Sequence, residues 1–194
     1  MPEAAEVNAT LRTFERISSM FQDSDASQAV RAPAAGQAER HVFVYGTLRR
    51  GGSNDINLRR PAPRYVGRSS LKGVLYDLGS YPGLILAPSD ALDSSVEAKQ
   101  VIGEVYAVLP ALEDNLDELE GLLPVPTGEY VKRCMTLDLV LPDAATSGGE
   151  GPKQALPCIV YEINPERTRG CAVVAHGDWI AHCAEKIRPW RLLC

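Results

Sequence analysis

The sequence predicts an α+β domain built on a curved or closed mixed sheet. Seven short β-rich runs are separated by turn residues, only two helical segments fall among them, and strands and helices lack the regular alternation of a βαβ array. The 194 residues suit one compact domain with appendages. A composition of 45% apolar and 23% charged residues is that of a folded globular chain, not a disordered one.

Residues 1 to about 22 read as an amphipathic helix, because Val7, Leu11, Phe14, Ile17 and Phe21 recur at three- and four-residue steps. From Asp23 to Arg40 the chain is rich in Ala, Ser and Gln, carries Pro33 and Gly36, and has no periodicity, as a flexible linker would. The expected division is therefore 1–40 as helix and linker and 41–194 as the folded domain. His41 to Tyr45 (HVFVY) forms a buried first strand that ends at Gly46. Further strands are expected at 65–68, 71–77, 84–87, 101–109, 130–141 and 155–163, with a Gly-rich connection over 143–154. Helices are expected at 111–120 and at about 178–187, the second capped by Asp178.

The formal charge of −5 and the scattered basic residues give no phosphate-tracking stripe, so nucleic acid is not an expected partner. The densest basic group, Arg49, Arg50, Arg59, Arg60, Arg64 and Arg68, reads as a solvated loop face. Five cysteines, an odd number without CxxC spacing, argue against a disulfide framework and a zinc site. No run reaches the length of a membrane helix. The expectation is a cytoplasmic chain with no membrane partner, no metal and no cofactor.

The helix at 111–120 (ALEDNLDELE) carries several acids, which helical geometry ranks. At about 100° per residue, Leu112, Leu116, Leu119 and Leu123 define a core-facing stripe. Glu120 lies about 65° from its centre, Glu113 about 85°, and Asp117 and Glu118 beyond about 120°. Glu120 is thus the acid expected nearest the buried side. Gly121 is a C′ candidate, and a carboxylate beside the negative helix end, partly desolvated, should have a raised pKa suited to general acid/base work. The alternative is an exposed helix end paired with Lys or Arg.

A second constellation is Tyr45-Gly46-Thr47-Leu48, followed by Arg49-Arg50-Gly51-Gly52-Ser53-Asn54. A strand stopping at glycine can turn its next N–H groups toward a carboxylate or oxyanion. A plain strand-to-turn junction reads the same way, and no Walker or dinucleotide motif is present. Taken with SYPGL at 80–84, GEVYAV at 103–108, LDELEG at 116–121 and EYVKR at 129–133, VYGTLRRG at 44–51 resembles the γ-glutamylcyclotransferase superfamily, which includes the AIG2-like proteins and γ-glutamylamine cyclotransferases. The likeness covers about residues 41–141, with further similarity at 155–163 and 177–179.

That resemblance implies a small mixed β-barrel flanked by helices, with the N-terminal helix as an extension, and a γ-glutamyl pocket at one end of the barrel. It implies Glu120 as acid/base residue, and Tyr45, Gly46, Thr47, Leu48 and Tyr130 as the substrate-binding set, with weaker carry-over for Asn54 and Pro82. The implied activity is release of 5-oxoproline and a free amine from a small γ-glutamyl amine or amide by intramolecular cyclisation. The alternatives are a non-catalytic module holding a carboxylated ligand, or a γ-glutamyl-removing transferase in a biosynthetic pathway. His176, His182 and Cys183 read as packing residues, because neighbouring His and Cys side chains seldom face one site and no third zinc ligand has suitable spacing. Glu104 reads as an outward or rim carboxylate held in reserve, and Asp77 and Glu129 read as turn or rim residues.

Overall fold

β1 (Arg40–Val44) is apolar at consecutive positions because both of its faces are covered. Val42 and Val44 join one core cluster with Leu112, Leu116 and Tyr161, while Phe43 and Tyr45 join another with Val105, Leu139 and Val160. Each fully buried aliphatic or aromatic side chain contributes roughly 1.5–3 kcal/mol, so this strand is a principal organiser of the core. The computed structural model describes residues 38–88, 96–140 and 153–191, all within the compact unit Ala38–Cys194. The expected N-terminal helix, residues 23–37 of the linker and most of the Gly-rich connection lie outside the described residues.

After β1 come β2 (Arg64–Asp77), β3 (Pro82–Leu86), β4 (Lys99–Val108), helix α1 (Pro110–Leu119), β5 (Tyr130–Val140), β6 (Lys153–Ile163), β7 (Ala172–Val173) and helix α2 (Trp179–Arg191). Short 3-10 turns occupy Ile56–Leu58 and Pro165–Thr168. Strands β2, β4, β1, β6 and β5 follow one another, and β5 returns to β2 through Arg68↔Val140 and Ser69↔Leu139, closing a five-stranded barrel. β1 and β6 are parallel, pairing His41↔Cys158 and Val42↔Ile159, and every other pair is antiparallel. β3 and β7 extend the second half of β2 beyond the barrel. The expected α+β class and the mixed barrel flanked by helices are therefore present.

One expected break between strands is absent. The runs expected at 65–68 and 71–77 are a single strand of 14 residues, because Ser69 and Ser70 continue the ladder to Gly103 and Ile102 of β4. The polar Arg68-Ser69-Ser70 stretch resembled a turn, yet the Ser69 hydroxyl donates to the Asp138 carbonyl at 2.7 Å across the barrel seam. The register shifts between Tyr65 and Gly67, and a Cβ at Gly67 would lie 2.7 Å from the Val140 carbonyl oxygen, so glycine lets β5 approach. Among the described residues no helix is long and apolar enough to cross a membrane, and Cys134, Cys158, Cys171 and Cys183 are unbridged.

Gly103 of β4 is closely packed on both sides: an added Cβ would sit 2.4 Å from the Phe43 ring and 2.6 Å from the Val44 carbonyl oxygen. Backbone cannot yield as a flexible side chain can. Gly103→Ala is expected to cost about 1–3 kcal/mol, as overpacked cores do, read as a lower urea midpoint at unchanged slope.

Candidate active site

Helix α1 starts with Pro110 in its first turn and ends at Glu120, the C-cap, with Gly121 in the left-handed region at φ 69°. The Leu122 N–H donates to the Asp117 carbonyl at 2.7 Å and the Gly121 N–H to the Glu118 carbonyl at 3.1 Å, which is a Schellman ending. Carbonyls expected to be unpaired are thus occupied, and the cause of any shift at Glu120 lies elsewhere. The buried arc is also turned from the expected one. Leu112 and Leu116 are fully buried, but Leu119 and Leu123 are 42% and 40% exposed, whereas Glu113 is buried and the Asp117 side chain is only 13% exposed.

The reason is that the sheet offers partners to carboxylates. Lys132 Nζ of β5 meets Glu113 Oε1 at 2.7 Å and Asp117 Oδ2 at 2.5 Å, and the Tyr161 hydroxyl of β6 donates to Asp117 Oδ1 at 2.7 Å. Arg40 of β1 adds a contact to Glu113 at 2.6 Å. Glu113, Asp117 and Glu120 follow at steps of four and three, one row along the helix. Seating the first two on the sheet carries the third inward.

Glu120 there faces a cavity of about 200 Å³. Its other walls come from the exit of β1 (Phe43, Val44, Tyr45, Gly46, Thr47, Leu48), from Asn54, from Tyr81 and Pro82, and from Leu119, Glu129, Tyr130 and Tyr161. Each residue expected at the site from the sequence, Tyr45, Gly46, Thr47, Leu48, Glu120 and Tyr130, lies on this one cavity. Glu129, Tyr81 and Tyr161 were not among them. Glu129 read as a turn or rim residue, and Tyr161 lay within the strand expected at 155–163 without being singled out.

Burial pushes the Glu120 carboxyl up to about 7, helped by the negative charges of Glu129 and Asp117. Among the described residues its oxygens accept no hydrogen bond, so nothing offsets the desolvation. Burial likewise raises the Tyr45, Tyr130 and Tyr161 phenols, with neighbouring acids adding to it, and keeps them protonated. Their hydroxyls donate to Tyr161 O at 2.7 Å, Pro82 O at 2.9 Å and Asp117, which fixes the rings as walls.

The loop after β1 is folded by N–H groups of Arg49, Gly52, Asn54 and Ile56 donating to the carbonyls of Gly46, Arg49, Thr47 and Leu48. Thr47 and Leu48, whose N–H groups stand outside that set, both line the cavity. A Cβ at Gly46 would lie 2.6 Å from the Pro82 ring, so glycine permits the loop to pack on β3. Asn54 donates to the Thr47 hydroxyl at 3.2 Å and tightens the same turn.

Two readings of charged residues need correction. Arg49 is buried, not solvated: its Nη1 meets Asp178 Oδ1 at 2.7 Å and its Nε lies 3.5 Å from Glu104 Oε1. Glu104 is buried rather than on a rim, accepting from the Arg50 N–H at 3.1 Å and the Tyr106 hydroxyl at 2.9 Å. Both serve to anchor the loop from behind, and Asp178 also caps α2 by accepting from the Ile180 and Ala181 N–H groups.

Asp77 likewise holds structure together. Burial alone would raise its carboxyl, but hydrogen bonds from Lys186, His182 and the Gly79 N–H lower it to about 2. Glu185 supplies the third group near His176 and His182 that sequence spacing did not reveal, the three lying within 4.8 Å of one another. The Asp178 N–H donates to His176 Nδ1 at 3.2 Å, which leaves the proton of the neutral ring on Nε2, the nitrogen 3.6 Å from Glu185. His182 Nε2 in turn lies 2.9 Å from Asp77 Oδ2, so one nitrogen of each ring already has a hydrogen-bond partner.

The sequence pattern of the γ-glutamyl cyclotransferase, AIG2-like family matches residues 42–181, a span containing the barrel, the cavity and the start of α2. The chain belongs to this family. An Arabidopsis thaliana protein with a provisional γ-glutamylcyclotransferase name is 39% identical over 99 residues, 50% of each chain. The γ-L-glutamyl-butirosin B γ-glutamyl cyclotransferase of Niallia circulans is 37% identical over 81 residues, 41% of this chain and 45% of that one. The chain spans about half the length of these relatives. The crystal structure of a Mus musculus AIG2-like protein aligns with 71% of this chain and 87% of its own, at 22% identity and a TM-score of 0.47.

Within this family member Glu120 carries a cost to stability. Its carboxyl binds its proton more tightly folded than unfolded, so between about 4.5 and 7 the folded state holds more protons and stability falls as pH rises. Glu120→Gln is expected to stabilise the protein by on the order of 1–3 kcal/mol at pH 8, with the gain vanishing below about pH 4.5. Urea titrations of both proteins at pH 4 and 8 measure it.

Proposed function

We propose that this chain converts a small γ-glutamyl amine or amide into 5-oxoproline and a free amine, with Glu120 as proton carrier. The observation that carries the reading is the cavity Glu120 shares with the backbone of Tyr45 to Leu48. A γ-glutamyl group contains its own nucleophile, so folding it inside a small chamber supplies the proximity on which ring closure depends.

Glu120, ionised, takes a proton from the substrate's α-ammonium. The freed amine attacks the γ-carbonyl carbon, forming the C–N bond of the five-membered ring and moving the carbonyl electron pair onto oxygen. Thr47 and Leu48 N–H groups serve the α-carboxylate or that oxyanion. The proton on Glu120 passes to the departing nitrogen, and the original C–N bond breaks as the carbonyl re-forms. The ring nitrogen, cationic since the attack, gives up its second proton through Glu120 to the freed amine, which leaves as an ammonium. An acid with a pKa near the working pH both accepts and returns a proton efficiently, which supports catalysis over simple retention of a carboxylated ligand. A relative whose name specifies removal of a γ-glutamyl group supports the same chemical class.

The test is a panel of γ-glutamyl amines and γ-glutamyl dipeptides, followed by 5-oxoproline release. Glu120→Gln is expected to lower kcat by about 10²-fold or more. Equal activity in wild type and variant removes Glu120 from the mechanism, and tight binding without product favours the binding module. Because Glu120 must start ionised, wild-type kcat/KM is expected to rise with pH through an acid limb near 7, measured under constant ionic strength.

A further inference from the structure

The cavity contains a second carboxylate that the proposed ring closure leaves unused. Glu129, the residue before β5, lines the same wall as Tyr81, whose hydroxyl donates to Glu129 Oε1 at 2.6 Å. Its other oxygen has no partner among the described residues. Holding one oxygen on a fixed phenol orients the carboxylate and leaves the second lone-pair face available. Among the described residues no Lys, Arg or His lines the cavity. The field of Arg167 reaches Tyr81, but this residue sits exposed on the turn Pro165–Thr168 and makes no ion pair with Glu129 among the described residues.

Charge counting then constrains the substrate. With a γ-glutamyl head bound, the α-ammonium is matched by Glu120, which must reach it to take the proton. The substrate's α-carboxylate and Glu129 remain, two negative charges in a small chamber walled by phenols and apolar side chains. Hydrogen bonds from backbone N–H groups moderate the first. Among the described residues no cation pairs with the second.

We propose that Glu129, oriented by Tyr81, is a subsite for a positively charged group on the leaving amine, so that this chain favours γ-glutamyl derivatives of diamines or polyamines. This inference rests on the cyclotransferase reading of the cavity. A leaving group bearing an ammonium restores the charge balance, and a γ-glutamyl dipeptide, with a carboxylate beside the scissile amide, adds a third negative charge and is disfavoured. A hydrogen-bonded charged pair out of bulk water gives a preference of about tenfold or more.

The experiment compares γ-glutamyl-1,4-diaminobutane with γ-glutamyl-n-pentylamine, which replaces the terminal ammonium by a methyl group, in 5-oxoproline release. Wild type is expected to favour the ammonium compound by about tenfold or more in kcat/KM, with the preference shrinking as salt rises. In Glu129→Gln the ratio of the two kcat/KM values is expected to fall to near unity, whatever the absolute rates. Tyr81→Phe, which keeps the ring but frees the carboxylate, should reduce the ratio part of the way and guards against a folding defect in the first variant. A wild-type ratio near unity, or a Glu129→Gln ratio equal to that of wild type, overturns the subsite while leaving the cyclotransferase reading intact. Absence of product from both compounds, and from γ-glutamyl dipeptides, overturns that reading and the subsite with it.

Discussion

The rotation of α1 about its own axis governs the site, and it is set where Lys132 and Tyr161 grip Asp117. Those contacts bury carboxylates at the expense of Leu119 and Leu123, an exchange that hydrophobicity alone would reverse. Breaking a buried, hydrogen-bonded charge pair on one side costs far more than such a pair contributes net, so the arrangement locks orientation more than it adds stability. With Asp117 held, Glu120 one turn later is placed on the cavity wall. Its raised pKa follows from that placement and from the neighbouring acids.

A similar logic holds the other wall. The loop after β1 is backed by Arg49, which spans from Glu104 on β4 to Asp178 at the start of α2. One guanidinium thereby links the barrel, the loop and a helix from the far end of the chain. Its Nε is buried without a hydrogen-bond partner among the described residues, so the network is satisfied in charge but not fully in geometry. Glu104 compensates in part by receiving the Arg50 N–H, which pins the backbone at the point where the cavity-lining residues end.

Much of the fold was legible because strands buried on both faces spell themselves as apolar runs bounded by glycine and proline. β1, β4, β6 and α1 appear within a residue or two of their expected limits. The join at Ser69 and Ser70 was not, since hydroxyls that bond across a seam look like turn chemistry in one dimension. At the site, Glu120 was legible from helical spacing, although the stripe used to rank it was partly wrong: Leu119 and Leu123 face outward, and Glu113 and Asp117 face the sheet. A wheel knows the spacing of residues on one helix but not the cations and hydroxyls on the surface it meets. Glu129 stayed hidden for the same reason, since only the hydroxyl of Tyr81, 48 residues away, reveals its orientation.

The parallel pairing of β1 with β6 has a consequence for how the protein is made. His41 meets Cys158, so the strand that ends at the cavity cannot gain this neighbour until well over a hundred further residues have left the ribosome. Closing so distant a contact is entropically slow, and until then β1 can pair only with β4. A nascent chain interrupted before β6 would therefore hold Glu120 and the Tyr45 to Leu48 loop without the Tyr161 wall, exposing apolar barrel staves that resemble an aggregation nucleus more than an enzyme.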